Sequence, residues 1–268
     1  MASISMRFLP RLPARCKAVP LLACAALLAH SAAAFAEAPA WSPRPGITGQ
    51  DDRKPLDTAA WPWRALGRLN QADGSHCTGA LIAQDAVLTA AHCLMDRRSG
   101  AWLEAGEIVF VAGYRRDEDA GFAHGRAILR PPHAVNPRRP ALGDIGDDWA
   151  VLYLDRPLAV RPIPIHPLPT GGGKQPAAHL MLAGYSQERP HMLSLHDGCG
   201  LLERVDGDRV LLTDCDSTHG DSGSPLLIKQ RGKIWIVGVA SAIAVRGSKT
   251  GSYAVSADAF AGQTAGVK

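Results

Sequence analysis

Three short segments carry residue types suited to nucleophilic chemistry. His219-Gly220-Asp221-Ser222-Gly223-Ser224-Pro225 sets a serine in a glycine-bracketed turn. Thr89-Ala90-Ala91-His92-Cys93 puts a histidine just beyond the apolar run Ala86-Val87-Leu88, and Asp148 stands directly before Trp149-Ala150-Val151-Leu152. A serine hydroxyl is a weak nucleophile until a base removes its proton. Histidine has the side chain whose ordinary pKa suits that task near neutrality. A buried carboxylate then fixes the imidazole tautomer and stabilises the imidazolium. Glycines beside the serine free the backbone to aim N–H groups at one point, and the amides of Gly220 and Ser222 are the expected donors to a developing oxyanion.

Each assignment has a competitor. The chain has 10 histidines, and His92 is set apart by its position at a strand end beside a cysteine. Asp144 and Asp147 are near Asp148, but only Asp148 abuts the apolar run, so the other two read as loop charges. Ser224 shares the loop with Ser222, and the proline after it marks a strand start and a structural role.

The elements that must position these residues read as short strands. Residues 64–69 lead into a turn at Asp73-Gly74, and residues 76–82 return as a strand. Further apolar runs fall at 108–112, 127–129, 150–154, 179–183, 201–204, 210–213, 225–228 and 234–239. Residues 156–176 carry six X-Pro pairs and Gly171-Gly172-Gly173, too much proline for a central strand or helix interior, so they read as an extended crossing between two halves. No long run has helical periodicity, although residues 256–261 suit one short terminal helix. This pattern predicts an all-β chain of barrels or a sandwich.

The first 36 residues are read separately. Arg7, Arg11, Arg15 and Lys17 precede an apolar stretch, and Ala34-Phe35-Ala36 forms a small-residue cleavage pattern, which is the layout of an export signal. The stretch is too short to span ~30 Å of hydrocarbon as an anchor. Cys24 after Leu21-Leu22-Ala23 is a poor lipoprotein site. Of 29 Lys and Arg, four lie in residues 1–36, which hold no acid; the remaining 25 match the 25 Asp and Glu. The mature chain is then formally neutral, with no basic patch that calls for nucleic acid. Cys77, Cys93, Cys199 and Cys215 remain as two close pairs, each with 15 residues between its members. An exported chain with an even count is expected to be disulfide-bonded. Three pairings exist, and proximity favours Cys77–Cys93 with Cys199–Cys215, each loop contributing about 3 kcal/mol. No Cys-x-x-Cys pair supports zinc.

The three motifs, in the chain order His, Asp, Ser, resemble those of the chymotrypsin/trypsin-like serine proteases, in a secreted bacterial branch related to glutamyl endopeptidases. Cys77-Thr78-Gly79 and Ala183-Gly184-Tyr185 are weaker matches, and the resemblance runs from about Ile47 to the end. It implies two packed antiparallel six-stranded β-barrels with the active site between them. The expected divisions are a signal at 1–36, an extended or pro-segment at 37–60, a first barrel at 61–165 and a second at 166–268. It also implies a serine endopeptidase without metal or cofactor. Its partners would be protein or peptide substrates and protein inhibitors, with no nucleic acid and no stable membrane insertion, and the chain would be a monomer.

In that family the aspartate before the serine, here Asp221, pairs with an α-amino group made by processing. Ile47-Thr48-Gly49 is the nearest candidate terminus, and a buried Asp221 paired with an arginine is the alternative. Asp216, six residues before Ser222, matches the pocket-base aspartate that attracts Lys or Arg, with Ser241 and Ile243 on the pocket wall. Thr218 replaces the usual cysteine. Asp51-Asp52-Arg53 resembles the glutamyl branch, but Ala240 stands where that branch has histidine, which argues against cleavage after Glu. Two rival functions are an inactive homologue used for binding and an α/β-hydrolase esterase. The latter expects Gly-x-Ser-x-Gly, and position 224 is serine.

Overall fold

A computed structural model of the chain describes residues 46–133, 142–168, 179–246 and 249–267. The expected signal at 1–36 lies outside the described residues. The first half places strands β2 (Leu66–Asn70), β3 (His76–Ala83), β4 (Ala86–Thr89), β5 (Val109–Ala112), β6 (Phe122–Leu129) and β7 (Ala150–Leu154) around a closed antiparallel barrel in the order β2-β3-β4-β7-β6-β5. Pairing of β2 with β5 closes the ring and removes both free edges. Leu66, Leu69, Ala80, Val87, Leu88, Phe110 and Leu152 are fully buried in its core.

The second half is an eight-stranded antiparallel sheet, two strands more than the six expected. It comprises β1 (Lys54–Pro55), β8 (Leu180–Gly184), β9 (Ser194–Cys199), β10 (Leu201–Val205), β11 (Val210–Thr213), β12 (Pro225–Gln230), β13 (Lys233–Arg246) and β14 (Lys249–Ser256), ordered β1-β9-β8-β12-β13-β14-β11-β10. One edge is β1, donated by residues that precede the first barrel and pairing Lys54 with Leu195. Pro55 suits that edge, where a missing N–H costs no ladder bond. All pairings between these strands are antiparallel, which excludes the parallel sheet of an α/β-hydrolase. Between the halves, residues 156–168 run extended and sink Leu158, Val160, Ile163 and Leu168 into the core, while 169–178 lie outside the described residues.

Among the described residues two α-helices complete the fold: α1 (Leu142–Ile145) just before Asp148, and α2 (Ala257–Thr264) near the end. Ser256 caps α2, its hydroxyl accepting the Asp258 N–H at 3.3 Å, one of the donors a helix start leaves without an internal partner. Phe260 of α2 packs against Trp149 with ring centroids 5.8 Å apart. The terminal helix therefore braces the stretch that carries the acid in the first half. Disulfides join Cys77 to Cys93 and Cys199 to Cys215.

Candidate active site

His92 lies in a 3-10 turn, Ala91–Leu94, that ends β4; Cys93 N–H donates to Ala90 O at 3.2 Å, and the Cys77–Cys93 disulfide pins the turn to β3. Asp148 follows α1, with its N–H donating to Ile145 O at 3.0 Å. Its carboxylate is 1% exposed. Oδ1 accepts the His92 backbone N–H at 2.9 Å, and Oδ2 accepts both His92 Nδ1–H at 2.7 Å and the Ser241 hydroxyl. A neutral imidazole that donates from Nδ1 keeps its lone pair on Nε2, the form a general base needs. Nε2 is 3.9 Å from Cys93 Sγ and has no nearer hydrogen-bond partner among the described residues. Asp147 turns away to an ion pair with Arg209.

Ser222 is half-buried at the tip of a loop cross-braced from both sides. Its carbonyl accepts the Thr78 N–H at 2.9 Å from β3. Thr78 Oγ1 donates to Gly220 O at 3.0 Å while accepting the Tyr185 N–H at 2.9 Å. Gly223 N–H donates to Ala240 O, and Ala240 N–H to Ser224 O, both at 2.8 Å. Gly220 and Gly223 have φ of +93° and +82°. A Cβ on Gly220 would fall 2.5 Å from Tyr185 O, and one on Gly223 2.2 Å from Thr78 O, so no other residue fits either place. The N–H groups of Gly220 and Ser222 make no hydrogen bond among the described residues, whereas those of Asp221, Gly223 and Ser224 do. Two backbone donors beside Ser222 are thus without an acceptor among the described residues.

Beneath this loop Asp221 is paired with an arginine, the alternative to an α-amino partner. Arg53 is 4% exposed, and its Nη1 donates to Asp221 Oδ2 at 2.9 Å and to Thr218 Oγ1 at 3.0 Å. Its Nε donates to Asp51 Oδ1 at 3.0 Å, and Nη2 reaches Asp51 Oδ2 and Glu188. One guanidinium therefore serves three carboxylates. Burial opposes its charge, but the carboxylates outweigh burial and hold Arg53 above its ordinary range. Asp51 and Glu188 stay below the usual carboxylate range: burial would raise them, and their hydrogen bonds to Arg53 prevail. Asp221 is the most deeply enclosed, and burial pushes it up to about 6 against Arg53 and the Thr218 amide. Arg53 lay in the Asp51-Asp52-Arg53 segment that resembles the glutamyl branch, but its partner 168 residues away was not legible.

Asp216, expected to face a substrate cation, is 1% exposed, with its carboxylate turned toward the N-terminal segment. Oδ1 accepts Thr48 N–H and Oδ2 accepts Asp52 N–H, both at 2.9 Å. The same segment is stitched in by Ser217 N–H to Gly46 O at 3.0 Å and by Thr250 Oγ1–H to Ile47 O at 2.8 Å. Asp216 thus anchors residues 46–52. Ser241, expected on the pocket wall, has its hydroxyl on the Asp148 carboxylate instead. Ile243 is half-buried in β13, paired with Ser252 of β14.

Among the described residues, two clusters each bring three ligand atoms within 4.8 Å of one another: Cys77, His92 and Cys93, and Asp52, His196 and Asp216. In the first both sulfurs are spent in a disulfide. In the second Asp216 already accepts two amides, and His196 Nδ1 accepts the Asp216 N–H at 2.9 Å.

A segment of 57 residues is 40% identical to a glutamyl endopeptidase of Bacillus licheniformis; it spans 21% of this chain and 18% of that relative's length. Among solved structures, a Glu endopeptidase in complex with MPD superposes with a TM-score of 0.66 at 22% identity, over 82% of this chain and 99% of the other. The secreted serine protease VesC from Vibrio cholerae superposes at 0.59 with 18% identity, over 78% of this chain and 46% of that one. At such identities both likenesses speak to the fold. Residues 51–261 match the family model described as Trypsin, and the chain belongs to that family of serine proteases.

Proposed function

We propose that this chain is an exported serine endopeptidase that works through an acyl-enzyme on Ser222. The observation that carries this reading is the buried Asp148 carboxylate bonded to both His92 Nδ1 and the His92 backbone. His92 Nε2 takes the Ser222 proton as Oγ attacks the peptide carbonyl carbon. The oxyanion sits on the Gly220 and Ser222 amides, where one donor is worth ~10²–10³ in rate. His92 then gives the proton to the departing amine, and water, deprotonated by the same imidazole, releases the acyl group. Catalytic hydrogen bonds from serine to histidine commonly tighten only when substrate binds. The Ser241 hydroxyl orients the acid. The signal-like residues 1–36 and the likeness to a secreted protease support export.

Preference for Lys or Arg before the cleaved bond rested on Asp216, and its oxygens are committed to Thr48 and Asp52. Cleavage after Glu, as in the glutamyl endopeptidases to which the chain is similar, takes its place as the specificity to test. The experiment compares peptides differing only in Glu, Arg or Ala before the bond, for the mature protein and for Ser222→Ala. Ser222→Ala should fold and lose turnover, and a serine-reactive phosphonate should label the parent at Ser222. A folded Ser222→Ala protein with near-normal turnover would sink the assignment. An unreactive Ser222 in the parent would favour an inactive binding homologue.

A further inference from the structure

The stretch that carries the triad acid is held from the second half by a charged clip. Asp148 and Asp147 follow the single turn of α1, and their N–H groups donate to Ile145 O and Asp144 O, each at 3.0 Å. Just past Asp148, the Trp149 ring packs on Phe260 of α2. Just before it, Asp147 pairs with Arg209, the residue that closes the turn between β10 and β11. The backbone of Arg209 is fixed on both sides. Its N–H donates to Asp206 O at 3.2 Å, and its carbonyl accepts the N–H of Ser256, the cap of α2, at 2.8 Å. Its guanidinium then forks, Nη1 to Asp206 Oδ2 at 3.3 Å and Nη2 to Asp147 Oδ1. Gly146 lies against this fork. A Cβ there would stand 2.8 Å from Asp206 Oδ2 and 2.9 Å from Arg209 Cζ, so the charged groups fill the space a side chain would take.

We propose that Arg209 is a positioning residue for the triad, acting through Asp147 on the seat of Asp148. The inference rests on the endopeptidase reading, because it takes His92, Asp148 and Ser222 as the reacting set. The pair does two things. It ties the neighbour of the acid to the half that carries Ser222, across the junction the triad must span. It also gives the second carboxylate a cation of its own. Unpaired, Asp147 would be a negative charge one residue from Asp148, and it would favour the imidazolium of His92 over the neutral base. Both partners are partly exposed, and such pairs add little to global stability. Their removal is therefore read in catalysis rather than in folding.

The test is steady-state kinetics across pH on one peptide, with urea unfolding beside it. It compares the parent with Arg209→Gln, Asp147→Asn, the double variant, Arg209→Lys and Ser222→Ala. Each of the first two should lower kcat roughly three- to tenfold, a fraction of the ~10²-fold cost of misplacing a reacting group by about 1 Å. KM should stay near that of the parent, because uniform binding of the peptide is untouched. The double variant should cost about as much as either single one, since all three remove the same contact. The acid limb of kcat/KM separates positioning from mere support. Arg209→Gln should move it to higher pH, because a bare Asp147 stabilises charged His92. Asp147→Asn should move it to lower pH, because a bare Arg209 disfavours that charge, each by roughly a few tenths of a unit. Arg209→Lys keeps the charge without the fork, so it should restore the limb and only part of kcat. Ser222-dependent cleavage with the kcat of the parent in both single variants, or with acid limbs that stay in place or move together, would overturn this inference alone. Absence of any Ser222-dependent cleavage in the parent would overturn it together with the endopeptidase reading.

Discussion

At the residue scale, two buried aspartates near Ser222 have opposite lessons. Asp148 was legible because its motif is local: an acid abutting an apolar strand. Asp216 was read through its spacing from Ser222, but its partners are backbone amides at Thr48 and Asp52, and amides leave no trace in side-chain identity. Asp216→Asn should therefore lower stability by about 1–3 kcal/mol, since an amide NH2 would face a donor. It should leave the ratio of cleavage after Arg to cleavage after Glu unchanged; peptide kinetics beside urea unfolding check both. Asp221 yields a pH dependence. With its folded pKa pushed up to about 6 from an ordinary 3.8, the native protein holds a proton that the unfolded chain has released between those values. Stability from this group is therefore fully present below about 4 and lost as pH rises through 6, by about 3 kcal/mol. Urea midpoints of the parent against Asp221→Asn, at pH 4.5 and 6.5 by the same linkage, should show the parent losing ground as pH rises. The reverse trend would mean that Arg53 keeps Asp221 ionised throughout.

At the scale of elements, most strands were legible from apolar runs, as with 108–112 within the reach of β5 and 225–228 within β12. Two were not. β9 reads SLHDGC and exposes Asp197 and Gly198, while β14 reads KTGSYAVS. Both form because their neighbours β8, β13 and β11 have open ladders to fill, a tertiary demand that overrides local propensity. The N-terminal segment is the larger surprise. Expected as an extended or pro-segment, its residues 46–53 bury Ile47 and Arg53 and supply the counter-charge under the serine loop. Removing one partner of such a buried pair costs ~3–5 kcal/mol. Arg53→Met should cost about that much and depress kcat with the loop it supports. Arg53→Lys should not rescue it, because a single ammonium cannot fork to three carboxylates. Thermal unfolding and turnover of the two variants check this, and a fully active Arg53→Met protein would contradict it.

At the scale of the whole molecule, the site is assembled from parts that neither half holds alone. His92 and Asp148 come from the closed barrel, Ser222 and Ser241 from the sheet that follows, and the geometry between them depends on what bolts the halves together. Thr78 is one such bolt. It is fully buried on β3, its N–H holds Ser222 O, and its hydroxyl links Gly220 O to Tyr185 N. Cys77-Thr78-Gly79 and Ala183-Gly184-Tyr185 were weak matches taken singly, and their meaning lies in this contact across 107 residues. Thr78→Val keeps the shape and the backbone donor to Ser222 but removes the hydroxyl, leaving the Gly220 carbonyl and the Tyr185 amide without that partner. Each buried group left unsatisfied costs ~1–3 kcal/mol, so Thr78→Val should lower stability by a few kcal/mol by that count. Because the stranded carbonyl belongs to Gly220, the oxyanion loop should lose its fixed position. The fall should then appear in kcat more than in KM, since the donors there act on the transition state more than on bound substrate. Urea unfolding beside steady-state kinetics on one peptide tests the prediction. A Thr78→Val protein that is destabilised but keeps its kcat would show that the loop is held by Arg53 and Ala240 without help from the first barrel.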